Sequence, residues 1–497
     1  YLSKYNLSGK IDENDIEKLT NLKVSSSESK LGEPYIKGPI ELNATYLIFQ
    51  NNKKKIKTSN NLKETELSFP ALGIIKEKGI DAVADIDFNF SKGKLNEIKI
   101  INFSMKHNVN SYIMPTYGER TLDFKEGKGV YLISTDNKKY LDFGSGIAVN
   151  SLGHCHPKLI QALQEQSSKL WHISNLYSNT TQEAYAKLLC QNSFAQKVFF
   201  TNSGAEAVEC GLKVIRSYHH FHKNNNKKNI ITFEGAFHGR TFAALSAQKN
   251  KKFSKGFEPL LSGFIQIPFN DCKAIKDSID ENTGGVMIEP IQGEGGVRPA
   301  NLHFLEQIRK LCDEMGILFF LDEVQCGFGR TGKFFAYEWA NFEPDIMAVA
   351  KGIGSGFPLG ACLSTQDACI GMTKGTHGST YGGNPLAVAV GKAVIEEMMQ
   401  KGFFEKVEKI ARYLWNKLKL LEKNYNEIEE VRGAGLLLGI KTRKNNLEII
   451  KLFTQNGLLT VPADDNIIRL APPLIILKKE VDEAIDIIEK TLQEIDD

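Results

Sequence analysis

A lysine and an aspartate each follow an apolar run that has the length of a buried strand. Asp322 comes after Gly316–Leu321, and Lys351 comes after Ile346–Ala350. Side chains at the carboxyl ends of parallel strands converge on the crevice where α/β folds bind ligands. An acid and a lysine that meet there suit pyridoxal phosphate chemistry. Lys351 would form the Schiff base and Asp322 would keep the pyridine nitrogen protonated, although both could also be ordinary solvated strand ends.

The segment Thr201–Ala207 has the residue types of a phosphate-binding turn. It follows the apolar run Val198–Phe200 and opens a predicted helix. Small residues at a strand-to-helix turn leave backbone N–H groups free to hold a phosphate at the helix N-terminus. Taken alone, the same Ser-Gly-Ala pattern is also compatible with a plain helix cap.

Two further segments offer partners for a flat, anionic ligand. Phe237 follows the predicted strand Ile230–Phe233 and is placed to stack on a heterocycle, while Arg240 could hold a carboxylate through two hydrogen bonds. Ser379 and Thr380, in a polar loop, carry hydroxyls that suit a phosphate or a substrate. The alternatives are a core phenylalanine, a surface arginine and a loop without function.

One arginine, Arg469, lies inside the last predicted strand, Asn466–Leu470. Burying an arginine is costly unless its charge meets an anion. We therefore expect Arg469 either to bind an anionic ligand or to pair with a structural carboxylate. His154 and His156 have a metal-like spacing, but the following Pro157 favours a turn or a helix start, so we predict no metal site.

The order of the predicted elements indicates the fold class. Strands alternate with helices over residues 198–350, which predicts an α/β fold with a mostly parallel sheet. Gly127–Leu132 and Lys139–Phe143 predict an antiparallel hairpin ahead of it, and from about Lys401 the pattern becomes α+β. The predicted domains are an extra N-terminal segment at 1–104, a large domain at 166–400, and a small α+β domain built from 105–165 and 401–497.

The first 104 residues differ in composition from the rest of the chain. They are rich in Lys, Asn and Ser, and Asp85–Phe90 alternates strictly between polar and apolar residues. This pattern predicts a β-rich segment, in which we find no catalytic constellation. Its alternation resembles the β-strand repeats of AsmA-like envelope proteins; a joined reading frame is the other interpretation.

The composition excludes several classes of protein. With 497 residues, 42% hydrophobic and 24% charged, the chain has the profile of a globular protein of more than one domain. The net charge of +3 gives no argument for a nucleic-acid partner. Eight scattered cysteines without a C-x-x-C pair argue against a zinc site and a disulfide framework, so the cytoplasm is the expected location.

Membrane association is not expected for residues 105–497, because no apolar run approaches transmembrane length. No secretory signal is visible. The chain begins at Tyr1 rather than at Met, which leaves a lost targeting segment open.

From about Asn110 onward, the motifs resemble those of the class III aminotransferases, a branch of the fold-type I pyridoxal phosphate enzymes. The motifs are Thr201–Ala207, Phe237–Arg240, Glu289–Glu294, Leu321–Gln325 and Lys351–Gly352. Lys351 follows Asp322 by 29 positions, and Thr380 follows Lys351 by 29, which also fits the family. The resemblance implies a fold-type I architecture, with a large mostly parallel-sheet domain and a smaller α+β domain.

The resemblance also implies a role for each matching residue. Lys351 and Asp322 would be catalytic. The cofactor, pyridoxal 5′-phosphate, would be held by Gly204, Ala205, Phe237, Asp322, Glu323, Val324, Gln325, Lys351 and Thr380. The substrates would be bound by Arg240, Ser379, Glu294 and Arg469. Thr380 would come from the neighbouring subunit, which makes the active unit a homodimer. Glu294 would mask an active-site arginine, and the sequence leaves open which one.

Within the class, the chain is most similar to the branch that acts on acetylornithine. Gly144–Val149, Gly457–Ala463 and Ile468–Leu474 carry this similarity. It implies transfer of the terminal amino group of N2-acetylornithine to 2-oxoglutarate, as in arginine biosynthesis. The alternatives are an ω-aminotransferase of the same class that acts on ornithine, succinylornithine, succinyldiaminopimelate or 4-aminobutyrate, or a binding protein without turnover that carries an envelope-type N-terminal module.

Overall fold

The computed structural model describes residues 112–496 apart from 115, 119 and 341, and before them only the backbone of eight strands. The chain divides into two compact units, Tyr1–Arg120 and Thr121–Asp497. The strands of the first unit are β1 Ser3–Ile11, β2 Tyr35–Lys37, β3 Ile40–Ile48, β4 Lys54–Asn61, β5 Glu66–Phe69, β6 Ile74–Lys76, β7 Ala82–Ser91 and β8 Lys94–Met105.

The strands of the first unit form two antiparallel sheets. Their orders are β1-β3-β4-β7-β8 and β2-β5-β6. The alternating segment Asp85–Phe90 lies within β7, in agreement with the prediction of a β-rich N-terminal segment. An envelope-type role for this segment stays a prediction.

The second unit contains the remaining strands and the helices. Its strands are β9 Phe124–Lys128, β10 Tyr131–Ser134, β11 Lys139–Asp142, β12 Lys197–Thr201, β13 Asn229–Phe233, β14 Phe264–Ile267, β15 Thr283–Ile288, β16 Ile291–Gln292, β17 Arg298–Pro299, β18 Leu318–Asp322, β19 Ile346–Val349, β20 Gly360–Ser364, β21 Ile428–Ala434, β22 Leu437–Thr442, β23 Leu458–Leu459, β24 Val461–Ala463 and β25 Ile467–Leu470. Apart from the irregular turn Ser145–Ala148 and the 3₁₀ turns Ala336–Trp339 and Lys351–Ile353, its helices are α1 Pro157–Ser167, α2 Thr180–Gln191, α3 Gly204–Phe221, α4 Phe242–Gln248, α5 Lys251–Ser254, α6 Cys272–Ser278, α7 Leu302–Met315, α8 Pro385–Met398, α9 Phe403–Asn424, α10 Asn446–Gln455 and α11 Lys478–Asp496.

A seven-stranded sheet with the order β12-β20-β19-β18-β15-β13-β14 forms the centre of this unit. All of its strands are parallel except β20, which runs antiparallel to both of its neighbours. The predicted mostly parallel sheet is therefore confirmed. Because the six parallel strands end at the same edge, the residues that follow five of them, β12, β13, β15, β18 and β19, can meet there.

The central strands are apolar because they are covered on both faces. Every residue of β15, β18 and β19 is buried, as expected for a parallel sheet between layers of helices. Helix α3 packs on β12, β18, β19 and β20. A Cβ atom at Gly211 of α3 would lie 2.3 Å from the ring of Phe320, so the close approach of this helix to the sheet requires glycine.

Two smaller sheets join segments that are far apart in the sequence. In the sheet β23-β11-β10-β9, β23 pairs in parallel with β11, and a second sheet has the order β21-β22-β25-β24. Helix α9 packs on β21 and buries Val407, Leu414 and Leu418. The boundaries of the predicted domains at 105–165, 166–400 and 401–497 stay a prediction.

Local details differ from the sequence-based expectations. The predicted strand Gly127–Leu132 is in fact two antiparallel strands, β9 and β10, because the backbone turns at Gly129, which has a φ of +59°. The helix start predicted at Pro157 is confirmed, because Pro157 is the first residue of α1. In the described part of the chain, no helix is long and apolar enough to cross a membrane.

Candidate active site

A cavity of about 460 Å³ lies at the edge of the central sheet where the parallel strands end. Five of these strands contribute lining residues from their last residue or from the segment directly after it, among them Gly204, Phe237, Glu289, Asp322 and Lys351. The structure therefore brings together, around one cavity, the residues that the sequence motifs singled out separately.

Lys351 directly follows the short loop after β19 and lines this cavity. Its backbone has a φ of +50°, in the left-handed region that L-residues rarely adopt. Burial of the amine and the nearby charge of Arg469 lower the pKa of Lys351 to about 8, although Asp322, Glu289 and Glu294 oppose this shift. A lysine amine with a lowered pKa is a better nucleophile and proton acceptor near neutral pH.

Asp322, the last residue of β18, is 3% exposed and both of its carboxylate oxygens are engaged. Oδ1 accepts the backbone N–H of Val324 at 3.0 Å, and Oδ2 lies 2.8 Å from Nδ1 of the buried His238. These contacts fix the orientation of the carboxylate in the cavity wall. An oriented buried carboxylate suits a ligand group with a protonated ring nitrogen.

His238 supports this carboxylate, a role that the sequence did not reveal. Burial alone would lower the pKa of His238, but the hydrogen bond and the negative charge of Asp322, with the charge of Glu289, raise it above its ordinary value. The histidine therefore holds the Asp322 carboxylate in position through this hydrogen bond. The only sequence signal for it is its position directly after Phe237.

The first turn of helix α3 forms one end of the cavity. Ser203 caps the helix, and its Oγ accepts the backbone N–H of Glu206 at 3.3 Å. Gly204 and Ala205 line the cavity, where their N–H groups have no partner within the helix. A Cβ atom at Gly204 would lie 2.7 Å from a methyl group of Val324, so the turn packs closely on this residue, two positions after Asp322.

Phe237 and Glu289 form a second wall of the cavity. The backbone N–H of Phe237 donates to Oε1 of Glu289 at 2.8 Å, and Glu289 is 5% exposed. Burial, helped by the charge of Asp322 and opposed by His238 and Lys351, raises the pKa of Glu289 to about 8. The sequence motifs include this carboxyl group without giving it a role, and the structure shows that it holds the backbone of Phe237.

Arg469 lies in strand β25 and is 1% exposed. Its Nη1 donates to Oε1 of Gln325 at 2.9 Å, and its Nη2 forms an ion pair with Oε2 of Glu294 at 3.0 Å. Burial lowers the pKa of Arg469, and the nearby charge of Glu294 opposes this shift. Of the arginines that the sequence left open, Arg469 is therefore the partner of Glu294.

Glu323 is placed away from the cavity. Its carboxylate accepts the backbone N–H groups of Ala336 and Tyr337 at 2.6 and 2.8 Å. Burial raises the pKa of Glu323 to about 8, although both of these hydrogen bonds oppose the shift. These contacts support a short 3₁₀ turn, Ala336–Trp339.

Two predicted substrate residues, Arg240 and Ser379, and the predicted cofactor residue Thr380 lie at the rim of the cavity or outside it. Arg240 is exposed, lines the cavity, and places its guanidinium carbon 3.9 Å from the ring centre of Phe253. Ser379 Oγ accepts the N–H of Gly382 at 2.9 Å, and Thr380 is exposed on the same loop. Neither hydroxyl lines the cavity of this single chain.

The cavity residues fit pyridoxal phosphate. The free N–H groups of Gly204 and Ala205 suit the phosphate, the ring of Phe237 suits a face of the heterocycle, and Asp322 and Lys351 suit its nitrogen and its aldehyde carbon. A metal site has no comparable support: within residues 112–496, the described part holds no group of three or more His, Cys, Asp or Glu that could bind a metal ion.

Comparisons with known proteins agree with this chemistry. The family model "Aminotransferase class-III" matches residues 112–492, so the chain belongs to the class III aminotransferases. It is a pyridoxal phosphate-dependent transaminase. This result excludes the alternative of a binding protein without turnover.

Two curated relatives show how far the similarity extends. The chain is 52% identical over 374 residues to acetylornithine aminotransferase of Agrobacterium fabrum, covering 75% of this chain and 94% of that protein. It is 44% identical over 384 residues to acetylornithine aminotransferase of Clostridium acetobutylicum, covering 77% and 99% respectively.

Solved structures show the same architecture. Acetylornithine aminotransferase from Elizabethkingia anophelis superposes with a TM-score of 0.70 at 33% identity, covering 78% of this chain and 97% of that one. Ornithine aminotransferase from Toxoplasma gondii ME49 superposes with a TM-score of 0.75 at 29% identity, covering 78% and 94%. The fold-type I architecture predicted from the motifs is therefore confirmed.

Proposed function

We propose that this enzyme moves the terminal amino group of N2-acetylornithine to 2-oxoglutarate, giving N-acetylglutamate 5-semialdehyde and glutamate, in arginine biosynthesis. The observation that carries the proposal is the ion pair between Arg469 and Glu294 beside the cavity. The relatives named acetylornithine aminotransferase, at 44% and 52% identity over nearly their whole length, support the same substrate.

Bound pyridoxal phosphate would supply the electron sink that amino-group transfer requires. The phosphate would be held by the N–H groups of Gly204 and Ala205, and the ring would lie against Phe237. Asp322 would hold the proton on the pyridine nitrogen. Lys351 would anchor the cofactor, then take a proton from the substrate carbon and return it to the cofactor as general base and acid. Val324 and Gln325, which also line the cavity, would contact the ring side.

The two substrates make different demands on Arg469. Glutamate and 2-oxoglutarate bring a carboxylate next to the reacting carbon, and an arginine can bind it through two hydrogen bonds. N2-acetylornithine brings only methylene groups beside its terminal amine, so an unpaired arginine there would be costly. Glu294, whose side chain is 30% exposed, has room to pair with Arg469 in one half-reaction and to leave in the other. Arg240 at the rim and Ser379 would contact the far end of the substrate.

The exchange between Glu294 and a substrate carboxylate can be tested with Glu294→Gln, which removes the charge but keeps the size. Because Arg469 loses a hydrogen bond to a charged partner, which contributes about 1.5–3 kcal/mol, we expect KM for N2-acetylornithine to rise by roughly 10- to 150-fold. The half-reaction with 2-oxoglutarate should change less than about threefold. Stopped-flow spectra of both half-reactions measure this, with the exposed Glu281→Gln as control. Equal losses in both half-reactions would contradict the masking role.

The substrate itself is tested by the visible absorption of the cofactor-loaded protein. We expect N2-acetylornithine to bleach the band of bound pyridoxal phosphate and 2-oxoglutarate to restore it. A band that responds to ornithine, succinylornithine, succinyldiaminopimelate or 4-aminobutyrate, but not to N2-acetylornithine, would keep the enzyme class and refute the proposed substrate.

We further propose a homodimer in the cytoplasm. Thr380 lies on an exposed loop beside exposed apolar side chains, which are Trp171, Leu176, Tyr177 and Tyr381. Such a patch is typical of an interface, and a second copy that covers it would bring Thr380 to the phosphate site of its partner. All eight cysteines are free, which fits a reducing compartment.

A further inference from the structure

Two arginines stand on either side of a glycine in the sheet β21-β22-β25-β24. Arg432 pairs with Gly439, and Gly439 pairs with Arg469. Residues directly opposite each other in antiparallel strands point to the same face, so both arginines project from one face of the sheet. Gly439 lies between them and has no side chain to fill the space on that face. A Cβ atom at Gly439 would lie 3.1 Å from Cβ of Val297. The segment that contains Val297 therefore packs over the glycine, between the two arginines.

The two arginines hold the two ends of one short segment, Glu294–Val297. At its start, Arg469 pairs with the carboxylate of Glu294 at 3.0 Å. Near its end, Nε of Arg432 donates to the backbone carbonyl of Gly296 at 2.8 Å. The N–H of Asp464 donates to the carbonyl of Glu294 at 2.9 Å. The backbone of the segment is thus held independently of the Glu294 side chain.

Arg432 is itself held firmly. Its Nη1 lies 3.1 Å from a carboxylate oxygen of Glu430, and its Nη2 lies 2.8 Å from one of Asp465. Lys441 contacts the other oxygen of Asp465 at 3.2 Å. The side chain of Arg432 is 16% exposed. Several partners that fix one guanidinium make it a rigid attachment point for a loop.

We infer that Arg432 is a specificity-determining positioning residue, which anchors the backbone of Glu294–Val297 while the Glu294 carboxylate leaves Arg469 and returns to it. The inference rests on the proposed function, because it assumes that one half-reaction needs the ion pair and the other needs it broken. Without the anchor, the segment shifts and Glu294 meets Arg469 less often. Only the half-reaction with N2-acetylornithine then becomes less efficient. In the other half-reaction, a carboxylate of 2-oxoglutarate or glutamate takes the place of Glu294 on Arg469.

The test is Arg432→Met in the cofactor-loaded enzyme, with each half-reaction measured separately. We expect KM for N2-acetylornithine to rise by roughly 10- to 20-fold, the lower end of the range for the loss of one hydrogen bond from a charged donor, while kcat and KM for 2-oxoglutarate stay within about twofold. Arg432→Lys, which keeps one donor for the carbonyl of Gly296, should recover part of the loss. The matched control is Arg443→Met, since Arg443 is 61% exposed and lies after the end of β22. Equal changes in both half-reactions, or none, would refute the inference.

Hydrogen exchange of residues 293–298 provides a readout that does not depend on the substrate. Arg432→Met should speed exchange in this segment, and Arg443→Met should not; unchanged exchange would overturn the anchor. If the wild-type enzyme ignores N2-acetylornithine, the proposed function fails while the exchange result still decides the anchor. If Arg432→Met does not fold, Asp465→Asn, which removes one partner of Arg432, should give the same changes at smaller size, and wild-type behaviour of that variant would refute the inference.

Discussion

Replacing Lys351 by alanine is expected to lower the rate of amino-group transfer by about 10⁴-fold, the upper range for the loss of a positioned general acid–base group. Lys351 is the lysine of the cavity, and its amine has a pKa lowered to about 8. The variant should retain the fold, since removing a costly buried amine leaves no unpaired partner behind. Single-turnover rates with N2-acetylornithine measure the loss.

The control for this variant is Lys255→Ala, which removes an exposed lysine and should leave the rate unchanged. Circular dichroism and thermal melting show whether both variants are folded. A Lys351→Ala protein that transfers amino groups at more than about one hundredth of the wild-type rate would contradict the catalytic role.

Asp322→Asn is expected to have the second-largest effect, a loss of about 10³-fold in kcat, similar to the removal of one charge-stabilising group from an active site. The substitution keeps the size of the side chain but removes the charge that would hold the pyridine proton. The charge of Asp322 also raises the pKa of His238 and the pKa of Lys351, and the substitution removes it. Both pKa values should therefore fall.

A pH titration of the apoenzyme separates this electrostatic effect from misfolding. In Asp322→Asn the amine of Lys351 should titrate below pH 8. Burial and the charge of Arg469 lower its pKa, and the variant has lost the negative charge of Asp322 that opposes this shift. The exposed Asp277→Asn is the matched control. An unchanged kcat together with an unchanged titration would refute the assigned role of Asp322.

The sequence predicted the strand ends of the site well, since each is marked by a local pattern. Asp322 and Lys351 follow apolar runs that correspond to β18 and β19, and Phe237 follows β13. Position alone does not tell which way a side chain faces. Asp322 faces the cavity, whereas its neighbour Glu323 binds the N–H groups of Ala336 and Tyr337.

The pairings between distant residues could not be predicted from the sequence. The contact of His238 with Asp322 joins the segments after two different strands, and the contact of Glu294 with Arg469 joins the central region to the last sheet. The register that sets Arg432 and Arg469 beside Gly439 likewise exists only once three strands have paired. Such partners depend on tertiary packing, which no local pattern encodes.

Because the strand ends form the cavity only in the folded chain, the stability of the protein depends on the supply of its cofactor. Gly204 and Lys351 are 147 positions apart, so an unfolded chain has no cavity for any ligand to enter. A ligand that binds only the folded form adds about 2.7 kcal/mol of stability at one hundred times its Kd. When the cofactor is scarce, this added free energy of unfolding is lost and a larger fraction of the molecules is unfolded. Proteases then degrade the protein faster.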